Sequence, residues 1–520
     1  MASLTNSVDD HDADAATLTQ DVPPSLPVQD GSPGKSRAFY LSFMAIMVAT
    51  FLSVLDLATI GTALPTISTA LNDTKGDYTW VGSALADAFG RRPIMLICIG
   101  FFALGSALAG ASQNMSMMIA ARADLVPLNE RGLYQGLLGF VWSFASSIGP
   151  PIGGALANKG HKAWRWLFFL NLPLTGIAFI LVSGFLSVRH PEGSLRSKLA
   201  QVDWVGNAIV IVGSGLAIIG MTWGGIRYPW SSAEVLAPLI IGLALLVVFA
   251  IYEAKVPQKP TVPRDIVSNR TSLSALLTTA AHGMVSIAMI YYLPVFFQAC
   301  FGASPIRSAV DFLPGALITA PFALVAGVIV TIVQKYRAVN FFGWIFAIIG
   351  FGLFSTLKED SSVGKWVGYQ VVTAIGTGIL FAAPVFPLLA PLPTSRSASA
   401  LALFAFTRSF FQTWGITISS TILQNMLEKK LPADFVSQFP AGFEIAYAAI
   451  PAIKHLEEPL KKQVQAAFAS SMSVIWKTMI GISGLGLLLS FLMAELPMGN
   501  TVDENYGLQE KERVLDAEKR

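Results

Sequence analysis

Trp80-Val81-Gly82-Ser83-Ala84-Leu85-Ala86-Asp87-Ala88-Phe89-Gly90-Arg91-Arg92 decides how this chain is read. One acid and two arginines stand among glycines, directly before an apolar run that begins at Pro93. Another apolar run, near 39–64, precedes them. A short charged turn between apolar runs is the pattern of a loop joining membrane helices, and its arginine pair favours the cytosolic side. Asp87 is suited to accept backbone amides at a neighbouring helix start, where the helix dipole favours negative charge.

The rest of the chain has the same character. Of 520 residues, 53% are hydrophobic and only 13% charged, against roughly 25% charged in a soluble domain. Mean hydropathy is +0.59. Long apolar runs lie near 39–64, 93–111, 133–157, 166–187, 203–223, 235–253, 273–297, 311–333, 339–357, 366–390, 400–423 and 473–494. These twelve reach about the 20 residues that a membrane helix needs. No stretch alternates with period two, as a membrane barrel requires. The expectation is an all-α integral membrane protein. The segment 114–128 is too short and too charged to cross alone.

Other classes drop out. A net charge of +3 gives no reason to expect a nucleic-acid partner. Cys98 and Cys300 are read as small core residues, since two cysteines make no disulfide framework. No His/Cys metal spacing, nucleophile elbow or phosphate loop is found, so no cofactor, metal or enzyme activity is expected. Residues 1–36 are acidic and polar without a signal-peptide pattern and read as a cytosolic tail, as do 498–520. Basic connectors at 188–200, 256–272 and around Lys335 and Arg337 are placed in the cytosol. The alternation puts a long amphipathic insert, 425–472, outside, where it is expected to form one or two surface helices. Asp311 is read as a helix start. Asn72 and Asn114 begin Asn-x-Ser/Thr sequons.

Several motifs now converge. Gly82 to Arg92, spelling G-x-x-L-A-D-x-x-G-R-R, resembles the loop between spans two and three of major facilitator superfamily transporters. Ser147-Ile148-Gly149-Pro150-Pro151-Ile152-Gly153-Gly154 is similar to the antiporter motif of the fifth span. Leu55-Asp56-Leu57-Ala58-Thr59-Ile60 with Ala63-Leu64-Pro65, and Trp164-Arg165-Trp166 with Phe169, Asn171 and Pro173, resemble the fourteen-span drug:proton antiporters, closest to fungal members. The resemblance runs from about Phe39 to Pro497. It implies two helix bundles, 37–190 and 273–497, joined by two linker helices within 201–255.

The resemblance also implies roles. Gly82, Asp87, Gly90, Arg91 and Arg92 form a gating latch. Gly149, Gly153 and Gly154 offer a small-residue face for close helix contact, and Pro150 bends the helix. Asp56 stands in mid-run, where a carboxylate costs about 2.5–3.5 kcal/mol on insertion scales and usually faces a cavity. Neutralised by a proton from outside, it can trade that proton for cytosolic substrate. His282, inside 273–297, is a candidate proton or substrate contact, and Arg408, inside 400–423, a candidate gate or substrate contact. Tyr291, Tyr292, Phe296, Phe297, Phe410, Phe411 and Trp414 are read mainly as packing.

Two pieces of the family pattern are missing. Six residues separate Trp80 from Asp87; as helix they reach about 9 Å, against roughly 30 Å of hydrocarbon. After Arg122 the family's fourth span continues, whereas here Asp124-Leu125-Val126-Pro127 follows at once. The chain therefore resembles a fourteen-span transporter with about twelve spans, lacking the second and most of the fourth. The expected function is proton-coupled export of small organic molecules across the plasma membrane by a monomer. Vacuolar or siderophore transport, or an inactive shortened product, are the alternatives.

Overall fold

The computed structural model describes residues 203–257, 260–393, 396–438 and 445–498, with scattered helical residues between 44 and 55, between 137 and 156, and at 166. Asp56, the 82–92 turn, Asn72, Asn114, Cys98 and Pro150 lie outside the described residues.

The linker region forms a helical hairpin, α1 (Trp204–Trp223) and α2 (Ala233–Lys255). It is followed by the short α3 (Arg264–Ser268), then α4 (Arg270–Cys300), α5 (Pro305–Val333), α6 (Arg337–Phe354) and α7 (Val363–Ala382). Then come α8 (Val385–Leu389), α9 (Ser397–Lys430), α10 (Ala433–Val436), α11 (Ile445–Ile453) and α12 (Leu460–Ser490). Among the described residues, seven apolar stretches of helix are long enough to cross a membrane: α1, α2, α4, α5, α6, the continuous Val363–Leu389 and α12. Each falls on an expected run. The expected 400–423 run lies inside α9, which is more polar than those seven.

Two expectations change. Helix α5 begins at Pro305, with Ser304 accepting from the Arg307 amide as its cap. Asp311 therefore sits in the second turn, paired with Arg307 at 2.9 Å, and does not start the helix. The insert 425–472 takes in the end of α9 and the start of α12, with the short α10 and α11 between them. Within it α11 buries Ile445, Ala446, Ala449 and Ile450, so its apolar face is spent inside the bundle rather than on a surface.

Helix α4 is the axis. It packs on α9 and α12, while α7 packs between α5 and α6 and α6 against α12. It is buried nearly all round. Its contact with α9 is close because glycine faces backbone in both directions. A Cβ on Gly283 would stand 2.7 Å from the Arg408 carbonyl, and one on Gly415 2.6 Å from the Met284 carbonyl.

Side chains divide the core into two clusters at opposite ends of α4. One begins at Ala281 and runs to Cys300, gathering Phe296, Phe297, Trp344, Phe351, Phe354, Trp366 and Trp476. The other takes Ala275 and Leu276 with Tyr336, Phe386, Leu389, Leu401 and Phe404. At that second end, Glu495 accepts from the amides of Tyr336 and Arg337 at 2.8 and 3.3 Å, standing in as the cap of α6. Burial pushes the Tyr336 phenol up to about 12. It thus stays protonated, donating to the Ala494 carbonyl at 2.6 Å and accepting from the Leu496 amide.

Gly415→Leu should lower the thermal midpoint of the purified chain, since overpacking costs about 1–3 kcal/mol. Gly481→Leu, where an added Cβ meets nothing within 4 Å, should leave the midpoint unchanged.

Candidate functional site

The boundary between the two clusters is polar. On α4 it falls at Thr278, Thr279 and His282, all buried. His282 donates from Nε2 to the Thr377 carbonyl of α7 at 3.0 Å, while its Nδ1 has no partner. From α9, Arg408 donates through Nη2 to the Phe381 carbonyl at 2.7 Å. Two sequence candidates from different helices thus bind successive turns of α7.

Arg408 is buried at 9% exposure. Its guanidinium lies over the Phe381 ring, 4.2 Å from the centroid, and over Phe404 at 4.6 Å. Ring faces carry negative charge and attract such a cation, more so when water is excluded. Among the described residues no carboxylate pairs with it, and its Nε is unpartnered. His282 meets Phe381 edge-on at 6.2 Å. Phe381 therefore joins both polar groups and belongs to neither hydrophobic cluster. Sequence reading missed it, because a phenylalanine in a membrane run carries no signal of its own.

The first half of the chain reaches this point. A Cβ on Gly139 would stand 2.9 Å from Phe381 Cδ1 and 3.0 Å from Ala323 Cβ. Further along the same expected span, Gly149, Gly153 and Gly154 are buried within helix. A Cβ on Gly154 would stand 2.7 Å from the Pro305 carbonyl and 2.8 Å from the Ile306 amide at the start of α5. Glycines of the 133–157 run therefore set the approach of the two halves, one beside the Arg408–Phe381 contact and one at the head of α5. The structure brings His282, Arg408 and Gly139 together at Phe381 of α7, while Gly154 meets the head of α5.

Long apolar helices and a buried polar layer, approached by Gly139 and Gly154 from the 133–157 run, define a polytopic helical membrane protein. The chain belongs to the Major Facilitator Superfamily, whose family model matches residues 46–416. It is 34% identical to "Efflux pump FUS6" of Gibberella moniliformis, over 93% of this chain and 92% of that protein. It is 34% identical to "MFS-type efflux pump LUC4" of a Fusarium species, over 95% and 94%. It is 32% identical to an "Acurin A biosynthesis cluster MFS-type transporter" of Aspergillus aculeatus, over 92% and 94%. The chain is a membrane-embedded transporter of this superfamily.

In these pairings the relatives hold positions with no residue of this chain opposite them. The first covers 524 positions but uses 93% of the 520 residues here, about 484, so about 40 positions of the relative have no counterpart. The second, with 95% of the chain over 534 positions, again leaves about 40.

His282→Phe removes a buried donor from the Thr377 carbonyl and should destabilise the chain by about 1–3 kcal/mol. His282→Gln, which retains a donor, should lose less; thermal unfolding in detergent compares them.

Proposed function

We propose that this transporter exports small amphipathic organic molecules, driven by proton entry, across the plasma membrane. The observation carrying the reading is the buried Arg408 at the seam of the halves, bracketed by Phe381 and Phe404. A cation and two aromatic faces at one point suit a compound with a flat apolar body and a polar edge. The efflux pumps among the relatives favour the outward direction.

Energetics permit the coupling. One proton moving down two pH units releases about 2.7 kcal/mol, and 100 mV adds about 2.3. Their sum of about 5 kcal/mol supports a several-thousand-fold gradient of a neutral solute. Asp56 is the proposed proton carrier, and His282 and Arg408 the groups that sense its cargo. The 82–92 turn gates the cytosolic face, Asn72 and Asn114 carry sugar outside, and the monomer is the working unit.

The shortfall of about 40 positions favours a second reading, in which the sequence is a spliced or misread product of a full-length transporter. Transcripts read across codons 78–90 and 119–127 separate the two. Uninterrupted genomic coding at both places removes the shortened-product reading.

In cells expressing the chain, Asp56→Asn should abolish uphill efflux of an amphipathic dye without changing membrane abundance. Efflux at the unaltered level would remove Asp56 from the mechanism. Arg408→Ala should reduce dye efflux at least tenfold, and Arg408→Lys should recover little, because an ammonium cannot lie flat against two rings.

A further inference from the structure

We propose that Gln370 is a positioning residue for the transport cycle: it clasps a hinge in α5, about which the head of that helix, residues 305–313, swings against the 133–157 run. Helix α5 carries Pro314 in its interior. Proline has no amide hydrogen, so the Val310 carbonyl, one turn back, loses its intrahelical donor. The next rung of the ladder joins the Asp311 carbonyl to the Gly315 amide. The side chain of Gln370, from α7, meets both ends of that rung. Its Nε2 donates to the Asp311 carbonyl at 2.9 Å, and its Oε1 accepts from the Gly315 amide at 3.3 Å. Gln370 is fully buried. A carboxamide offers a donor and an acceptor together, so here it copies a peptide group beside the break. Prolines and side chains entering the ladder are the usual causes of a helix kink, and in α5 they fall on adjacent residues. In a membrane such a break survives where a neighbouring helix satisfies the backbone groups around it.

Gly315 makes room for the clasp. A Cβ there would stand 2.8 Å from Met289 Cε of α4 and 3.1 Å from Gln370 Oε1. On either side of this point α5 touches the 133–157 run. A Cβ on Gly154 would stand 2.8 Å from the Ile306 amide, and one on Gly139 3.0 Å from Ala323 Cβ. From Ile306 to Ala323 is about 25 Å of helix, and the hinge lies between them.

The two sides are held differently. Beyond the hinge, α5 and α7 meet at backbone distance, since a Cβ on Gly378 would stand 2.5 Å from the Thr319 carbonyl. The head is tied by side chains: Gln298 Nε2 of α4 donates to Ser308 Oγ at 3.1 Å. Within itself the head is braced by the Arg307–Asp311 pair and the Ser304 cap. It therefore moves as a unit, while the rest of α5 stays on α7. A transporter must expose its central site to one side at a time. Swinging the head parts Gly154 from Ile306 and leaves the Gly139 and Arg408 contacts with Phe381 in place. Gln370 stands about three turns from Phe381 on α7, so it sets the head without touching the Arg408 site.

The test uses the full chain in lipid nanodiscs, carrying Cys98→Ser, Cys300→Ser and one introduced cysteine. That cysteine is Ile306→Cys in the head, or Ala326→Cys, 1% exposed, beyond the hinge. The rate of maleimide labelling reports how often each site opens. Gln370→Leu should raise the rate at Ile306→Cys about tenfold, the worth of two modest hydrogen bonds, and leave Ala326→Cys unchanged. Pro314→Ala returns a donor to the Val310 carbonyl. It should lower the rate at Ile306→Cys about fivefold, one net hydrogen bond, without lowering the thermal midpoint. This second variant keeps the test open if Gln370→Leu does not fold. Labelling needs no cargo, so its outcome is separate from that of the export reading. Equal rates at Ile306→Cys in all three backgrounds, or shifts of the same size at both cysteines, would overturn the proposal.

Discussion

A guanidinium stripped of water must find its attraction elsewhere, and that requirement organises the centre of this molecule. Arg408 meets it with one carbonyl and two ring faces, none of which cancels its charge. Its position depends on the α4–α9 contact, which Gly283 and Gly415 hold at backbone distance. That approach sets Arg408, carried by α9, beside His282, carried by α4, on α7. A large residue at either glycine would move the polar layer as a whole.

The layer is confined from both ends. Aromatic packing around Phe297, Trp366, Phe354 and Trp476 fills one end of the bundle. Aliphatic and aromatic side chains around Phe386, Leu401 and Phe404 fill the other. Hydrophobic burial is non-directional and would tolerate many arrangements of these helices. The hydrogen bonds from His282 and Arg408 to successive turns of α7 select one. A glycine from the first half lies on the Phe381 ring, so a change at this point is felt across the seam.

Much of the fold was legible in the sequence, because long apolar runs leave few alternatives. The linker hairpin, α4 to α7 and α12 all fall on runs read directly. His282 and Arg408 were visible as polar residues where apolar ones are expected. Other features were not legible, for physical reasons. Helix α9 extends to Lys430 and α12 begins at Leu460, beyond the runs at 400–423 and 473–494, because amphipathic turns continue them outside the apolar zone. Phe381 and Phe404 look like any membrane phenylalanine until Arg408 is laid between them. Gln370 is one polar residue within an apolar run. Only the packing of α7 on α5 brings its amide to the rung beside Pro314. Asp56 and the 82–92 turn, the strongest sequence signals, lie outside the described residues, so the coupling chemistry rests on the sequence.

In the proposed mechanism the Arg408–Phe381 contact lies on the path of a transported molecule. Thiol labelling tests it most directly, with Phe404→Cys as the single cysteine in a chain carrying Cys98→Ser and Cys300→Ser. Sealed vesicles of both orientations are treated with a membrane-impermeant reagent. Labelling from each face in turn is expected as the pH gradient is reversed, with protection by an amphipathic aromatic compound. A cysteine inert from both faces under every gradient, in a chain that still transports, would contradict it.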